Sequence, residues 1–372
     1  MNQSNNFGIY VHIPFCLSKC LYCNFISKPA CENEIKNYMD FLCKEITNKS
    51  NFFENKECKS IYFGGGTPSS ICEKYIEKVL KIIKKHYKLC KNAEISIECN
   101  PCTISLDKLQ TYKKIGINRI SFGVQSLNNK ELKSIGRRHN MAQAIDAIKL
   151  ASEVGFNNIS ADIMIGLPYQ TRASLKKTVT QLISLGIKHI SAYMLILEEG
   201  TKLNDMVKNG IVNVASEDDS VELYNMVYEQ LKANGFNRYE ISNFAKPGYE
   251  CKHNINYWEV GDYIGFGVSA HSYYNGVRYA NSDSFDGYYN RQTANEKISK
   301  RVHIEEIIML GLRQSCGISI SGLMELGYDI LKRKNNEIKE LLNLGLITIE
   351  DDRIKITPNS YGVTSAIILK LI

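Results

Sequence analysis

Six short runs rich in β-branched and aromatic residues, each followed by a longer amphipathic stretch, constrain this chain more than any other feature. The runs are Ile9–Ile13, Ser60–Gly66, Glu94–Cys99, Arg119–Val124, Ile159–Pro168 and His189–Leu197. Helical periodicity fills the intervals at Glu34–Asn48, Cys72–Tyr87, Met141–Val154 and Arg172–Leu185, several of them preceded by a Ser, Thr or Asn cap. Strand and helix alternating at a spacing of roughly 30 residues means βαβ units and a parallel sheet. Six units are too few for a closed eight-stranded barrel and predict a partial (β/α)6 TIM-like barrel, with ligands at the C-terminal ends of its strands.

The chemistry-bearing residues fall at those ends. Gly64, Gly65 and Gly66 follow the second run, Glu98 closes the third, Gln125 follows the fourth and Asp162 lies in the fifth. The loop after the first run reads HIPFCLSKCLYCNF and holds Cys16-x3-Cys20-x2-Cys23. Three thiolates within eight residues suit three irons of one cubane, whereas clusters held entirely by protein use four Cys ligands, so one iron is left open. Zinc is the rival reading. It wants four tetrahedral ligands, usually as two separated pairs, and no second Cys or His pair of that kind is apparent. The other cysteines, among them Cys31, Cys43, Cys58, Cys72 and Cys90, lack this spacing.

Charge and composition narrow the function classes. The chain has 372 residues and a net charge of +7, mild for its length, with lysines and glutamates alternating on helix faces as in Glu73-Lys74 and Glu77-Lys78. Twelve cysteines spread over such a length, behind a polar start at Met1–Asn6, read as reduced thiols of a cytoplasmic protein rather than a disulfide framework. No run approaches the roughly 20 apolar residues of a membrane span. Residues 1–240 form the expected core, 241–298 an aromatic, loop-rich extension, and 299–372 a small module. In that module helices over Ile304–Arg313, Ile320–Leu326 and Tyr328–Leu342 precede two short strands, a winged-helix-like order. From Arg301 to Ile372 nine Lys and Arg face nine Asp and Glu, which removes the basic face that nucleic-acid binding needs.

With Tyr22 before the last cysteine and a glycine-rich strand end downstream, the cysteine motif resembles the signature of the radical S-adenosylmethionine superfamily. The resemblance implies a [4Fe-4S] cluster on Cys16, Cys20 and Cys23, and S-adenosylmethionine held by Tyr10, Tyr22, Gly65, Gly66, Thr67, Glu98, Gln125, Arg137 and Asp162. The segments YVHIPFC, IYFGGGTPS, IECNP, RISFGVQS, IGLPYQT and YEISNFAKPGYE, in this order, look like the oxygen-independent coproporphyrinogen III oxidase family, including its C-terminal module. One departure matters. The oxidases carry a longer N-terminal segment and a further cysteine two residues past the third ligand, where this chain has Phe25.

His253-Asn254-Ile255-Asn256-Tyr257-Trp258 instead matches the HNxxYW stretch of the sister branch, the HemW heme chaperones. That branch implies heme, contacted by His253, Tyr257 and Trp258, together with an electron donor and acceptor proteins that receive the heme. Heme iron accepts an axial His, Cys or Tyr, and Cys251 and His271 are less favoured donors. The alternative is an enzyme: the oxidase itself, or another radical reaction on a porphyrin.

Overall fold

The computed structural model describes residues 5–372, so most of the polar start lies outside it. Six parallel strands lie side by side in chain order: β1 (Asn6–Ile13), β2 (Glu57–Gly65), β3 (Leu89–Cys99), β4 (Arg119–Gln125), β5 (Asn158–Ile165) and β6 (His189–Met194). Each is buried along most of its length, as strands covered on both faces must be. The connecting helices bury one apolar stripe. Glu73–His86, for example, turns Ile76, Val79, Leu80 and Ile83 to the sheet and keeps its lysines outside. Ser105, Asn140 and Thr171 cap helices at Leu106–Ile115, Met141–Glu153 and Arg172–Ser184.

The sheet does not close. Its β6 edge continues antiparallel through β8 (Asn243–Ala245) to β7 (Asn237–Arg238). The β1 edge takes a seventh parallel strand, β9 (Tyr263–Phe266), followed by the antiparallel strands β10 (His271–Tyr274), β11 (Val277–Asn281) and β12 (Thr293–Lys297). The stretch read as loop-rich, residues 241–298, therefore supplies five strands of the twelve, β8 to β12, plus helices at Lys252–Trp258 and Phe285–Tyr289. Its Phe266, Val268 and Tyr288 join the main core.

The last part of the chain packs a second core around Ile308, Leu312, Leu323, Leu341 and Ile354. A three-stranded sheet, β13 (Ile318–Ser319), β15 (Arg353–Ile356) and β14 (Ile347–Glu350), lies among its helices. The helix expected over Tyr328–Leu342 is two, Ile330–Arg333 and Asn335–Asn343, and a further helix at Thr364–Leu371 follows. Among the described residues no helix is long and apolar enough to cross a membrane.

Candidate functional site

Parallel pairing brings the C-terminal strand ends to one rim. In register, Ile13 faces Gly65, Glu98 faces Ser121, Gly123 faces Asp162, and Asp162 faces Ser191. A cavity of about 340 Å³ opens there. It is lined by Cys16, Cys20, Cys23, Tyr22, Gly65, Gly66, Thr67, Glu98, Gln125, Arg137 and Asp162, every residue expected at the cluster and its partner molecule except Tyr10.

The cysteine loop is fixed at several points by backbone bonds. Cys16 donates its N–H to the Lys28 carbonyl at 3.1 Å, Lys28 to Pro14 at 2.9 Å, and Leu21 to Ile135 at 3.1 Å. The glycine strand end lies tightly against it. Gly66 donates to Ile13 at 2.9 Å, and a Cβ there would meet the Phe15 backbone at 2.9 Å, so only glycine lets the two loops touch. Gly65 takes φ +109, open to glycine alone at low cost. Thr67 Oγ1 lies 3.3 Å from Cys16 Sγ, and Arg137 donates through Nη1 to Cys20 Sγ at 3.5 Å and through Nη2 to the Gly123 carbonyl.

Donor chemistry decides what fits. Among the described residues no group of three or more His, Cys, Asp or Glu side chains converges closely enough to hold a single ion. Spaced thiols, each able to take a different metal atom, with a cation and a hydroxyl beside two of them, fit a cluster better.

Opposite the thiols stand two carboxyls. Burial, and then the neighbouring Asp162, push Glu98 up to about 7 against the pull of the Tyr62 hydroxyl, which donates to it at 2.9 Å. Burial also raises Asp162, to which Ser121 donates at 3.2 Å. A cation or a set of hydrogen-bond donors placed against either carboxyl would favour its charged form.

A second cavity, about 690 Å³, adjoins the first. Phe25 and Tyr193 line both and are 63 % and 41 % exposed, so the two spaces meet at these rings. Its wall carries Tyr257, Trp258, Tyr263 and Tyr273, and the helix Lys300–Gly311 contributes Glu306 and Leu310. Arg278 binds Glu306 at 2.6 Å and so ties the β11 hairpin to that helix. At another point of the wall Glu240 is buried, and burial pushes its carboxyl up to about 7.

Tyr10 belongs to this second cavity rather than the first, with its hydroxyl 3.0 Å from His12 Nδ1. His253 does not reach the cavity at all. It is 1 % exposed, its ring stacks on Tyr62 at 5.1 Å, and both ring nitrogens are engaged, Nδ1 with Ser60 Oγ and Nε2 with the Tyr257 hydroxyl, each at 2.9 Å. Burial and the Arg119 charge lower its pKa to about 3, which keeps it neutral.

The helix that carries it is held by the buried Glu94, which accepts the N–H groups of Lys252 and His253 at 3.2 and 3.3 Å, a negative charge where a helix start favours one. Cys251 is fully buried on the same carboxylate. His271 lines the cavity and is exposed. Sequence reasoning missed Tyr193, Tyr273, His12, Glu240 and the Arg278–Glu306 pair. For Tyr193 a signal existed, since it stands near the end of the sixth run, where ligand-facing residues collect.

Comparison with known proteins points one way. The Radical SAM superfamily pattern matches residues 10–182, and that of the HemN C-terminal domain matches residues 298–360. The chain is 33 % identical to the Heme chaperone HemW of Lactococcus lactis over 98 % of its own length and 96 % of the relative's. To the Heme chaperone HemW of Bacillus subtilis it is 34 % identical over 94 % of each. Coproporphyrinogen III oxidase (HemN) from Escherichia coli, described as a radical SAM enzyme, superposes with a TM-score of 0.86 at 22 % identity, covering 99 % of this chain and 90 % of that one, which shows a shared fold.

Proposed function

Because the chain belongs to the HemW family of the radical SAM superfamily, we propose that it is a heme-binding chaperone that carries a [4Fe-4S] cluster and S-adenosylmethionine and passes heme to acceptor proteins. The observation that carries this is the juncture of the two cavities. A thiol-lined space with two carboxyls opens, past Phe25 and Tyr193, into an aromatic space within the usual volume range of small-molecule sites.

In the first space Cys16, Cys20 and Cys23 would hold the cluster. The chemistry such a cluster supplies when bound is one-electron reduction of a sulfonium. The chain's own residues do the positioning. Gly65 and Gly66 give a backbone that a methionyl end can approach, and Glu98 meets its ammonium. Asp162, Gln125 and Arg137 meet the rest of that molecule, and Arg137 also donates toward Cys20. Tyr22 packs beside Leu21 with Met164 and Leu167 and so fixes the loop's last turn.

In the second space Tyr257 and Trp258 offer a flat aromatic wall to a macrocycle. Phe25 stands where the oxidases carry a further cysteine, and with it decarboxylation of coproporphyrinogen is disfavoured. Anaerobic reconstitution followed by heme titration tests the reading. A saturable Soret change, with no conversion of coproporphyrinogen III under reducing conditions, is the expected result. Absence of heme binding, or turnover of coproporphyrinogen, overturns it.

A further inference from the structure

If heme occupies the aromatic cavity, as proposed above, its iron needs a donor atom that faces that cavity and is not already engaged. The seven histidines of the chain are all within the described residues, so they can be compared directly. His86, His139, His189 and His303 do not line the cavity. His12 lines it but is buried, with Nδ1 at 3.0 Å from the Tyr10 hydroxyl and Nε2 at 3.0 Å from the Ile26 carbonyl. His253 lies behind Tyr257 with both nitrogens bonded, and freeing one would strand the Ser60 or the Tyr257 hydroxyl in a buried place.

The other donor types fare no better. Cys251 is buried against Glu94, and burial raises the phenols that line the cavity, Tyr10, Tyr193, Tyr257, Tyr263 and Tyr273, which disfavours a phenolate ligand.

His271 differs on each count. It is exposed, it lines the cavity, and neither ring nitrogen has a hydrogen-bond partner among the described residues. It begins β10, whose next residue on the same face is Tyr273, and Tyr273 pairs across the hairpin with Arg278. Imidazole, phenol ring and guanidinium are therefore presented together from one face of the β10–β11 hairpin, and all three line the cavity that Tyr257 and Trp258 wall.

We infer that His271 is the protein's axial donor to heme iron, while His253 is a positioning residue that fixes the ring of Tyr257 through its hydroxyl. The bond is simple coordination. The lone pair of a neutral imidazole nitrogen enters an open iron position, and no electron or proton is transferred.

The inference rests on the heme reading, and one titration series separates the two. Wild type, His271→Ala, His271→Met and His253→Ala are each titrated with ferric and ferrous heme, reading Soret position, spin state and affinity, with circular dichroism to verify folding. His271→Ala is expected to weaken binding about tenfold or more and to lose the imidazole signature, which free imidazole restores. His271→Met shifts the spectrum toward a thioether-ligated form. His253→Ala keeps the imidazole signature even where affinity falls. Should wild type show no saturable binding, the heme reading fails and this assignment with it. A saturable wild type whose spectrum survives His271→Ala unchanged, or loses imidazole ligation in a folded His253→Ala, overturns the assignment alone.

Discussion

The two cavities that meet at Phe25 and Tyr193 are built on opposite principles. The smaller is polar and pre-set. Its thiols, glycines and carboxyls come from one loop and the ends of consecutive parallel strands, tied by backbone bonds and by contacts too close for any Cβ. The larger is aromatic and composite. Rings from β1, β6, the helix Lys252–Trp258, β9 and β10 converge on it with Arg278 of β11 and with Glu306 and Leu310 of the helix Lys300–Gly311, and a few polar locks hold them there, notably Ser60–His253–Tyr257 and Arg278–Glu306. A site for charged, reactive groups needs fixed donors, whereas a site that takes up and releases a large apolar ring needs area and a wall that is able to part.

The sharpest way to break this contrast is to remove one fixed donor. Cys20→Ala takes away one of the three thiols and the group that Arg137 approaches. Iron and sulfide content and the brown chromophore are expected to be lost almost completely after reconstitution, while heme titration of the aromatic cavity continues to saturate. A full iron complement in the variant would contradict the assignment of the smaller cavity.

A smaller effect is expected from loosening the composite wall. His253→Ala leaves the Ser60 and Tyr257 hydroxyls without their buried partner, a cost of about 2 kcal/mol in unfolding free energy. The cluster content of the folded variant stays at the wild-type level. Loss of the cluster together with that stability would mean that the two cavities are one unit.

The smallest effect is a pH dependence confined to the polar cavity. Glu98 is raised from 4.5 to about 7 by burial and by Asp162, so the folded state holds its proton more tightly than the unfolded chain does. Its contribution to stability is complete below about 4.5 and is lost as pH rises through about 7. Relative to Glu98→Gln, the unliganded protein is expected to lose about 1 to 2 kcal/mol across that window, given the carboxyl's access to the cavity. Parallel pH profiles for the two proteins would remove the claim that burial and Asp162 raise Glu98 in the folded state.

The same contrast explains what could be read in the sequence. Cys16, Cys20 and Cys23 are close in sequence and the strand runs bring Gly65, Gly66, Glu98, Gln125 and Asp162 to one rim, whereas Tyr22, Thr67 and Arg137 were named only through the family resemblance. Tyr10, named with them, turns its ring to the adjacent space instead. The larger cavity was largely illegible, since its wall comes from segments more than two hundred residues apart and its strands β9–β11 are short, tyrosine-containing and without clean alternation.

His253 was read as a ligand from its neighbours in sequence. Yet its spacing of four from Tyr257 on a helix already placed the two rings on one face, where they bond each other. The split helix near Lys334 and the last helix, Thr364–Leu371, went unread because tertiary packing rather than any local stop signal sets them.

Trp258 is the single tryptophan of the chain and stands in the wall of the larger cavity, so its fluorescence reports on that space alone. The most direct test of a heme-binding aromatic cavity beside a cluster site is to follow this fluorescence and the Soret band together during heme titration of the reconstituted protein. Near-complete quenching that saturates at the same heme concentration as the Soret change is the predicted result. A saturating Soret change that leaves most of the Trp258 emission intact would place heme elsewhere and contradict the account.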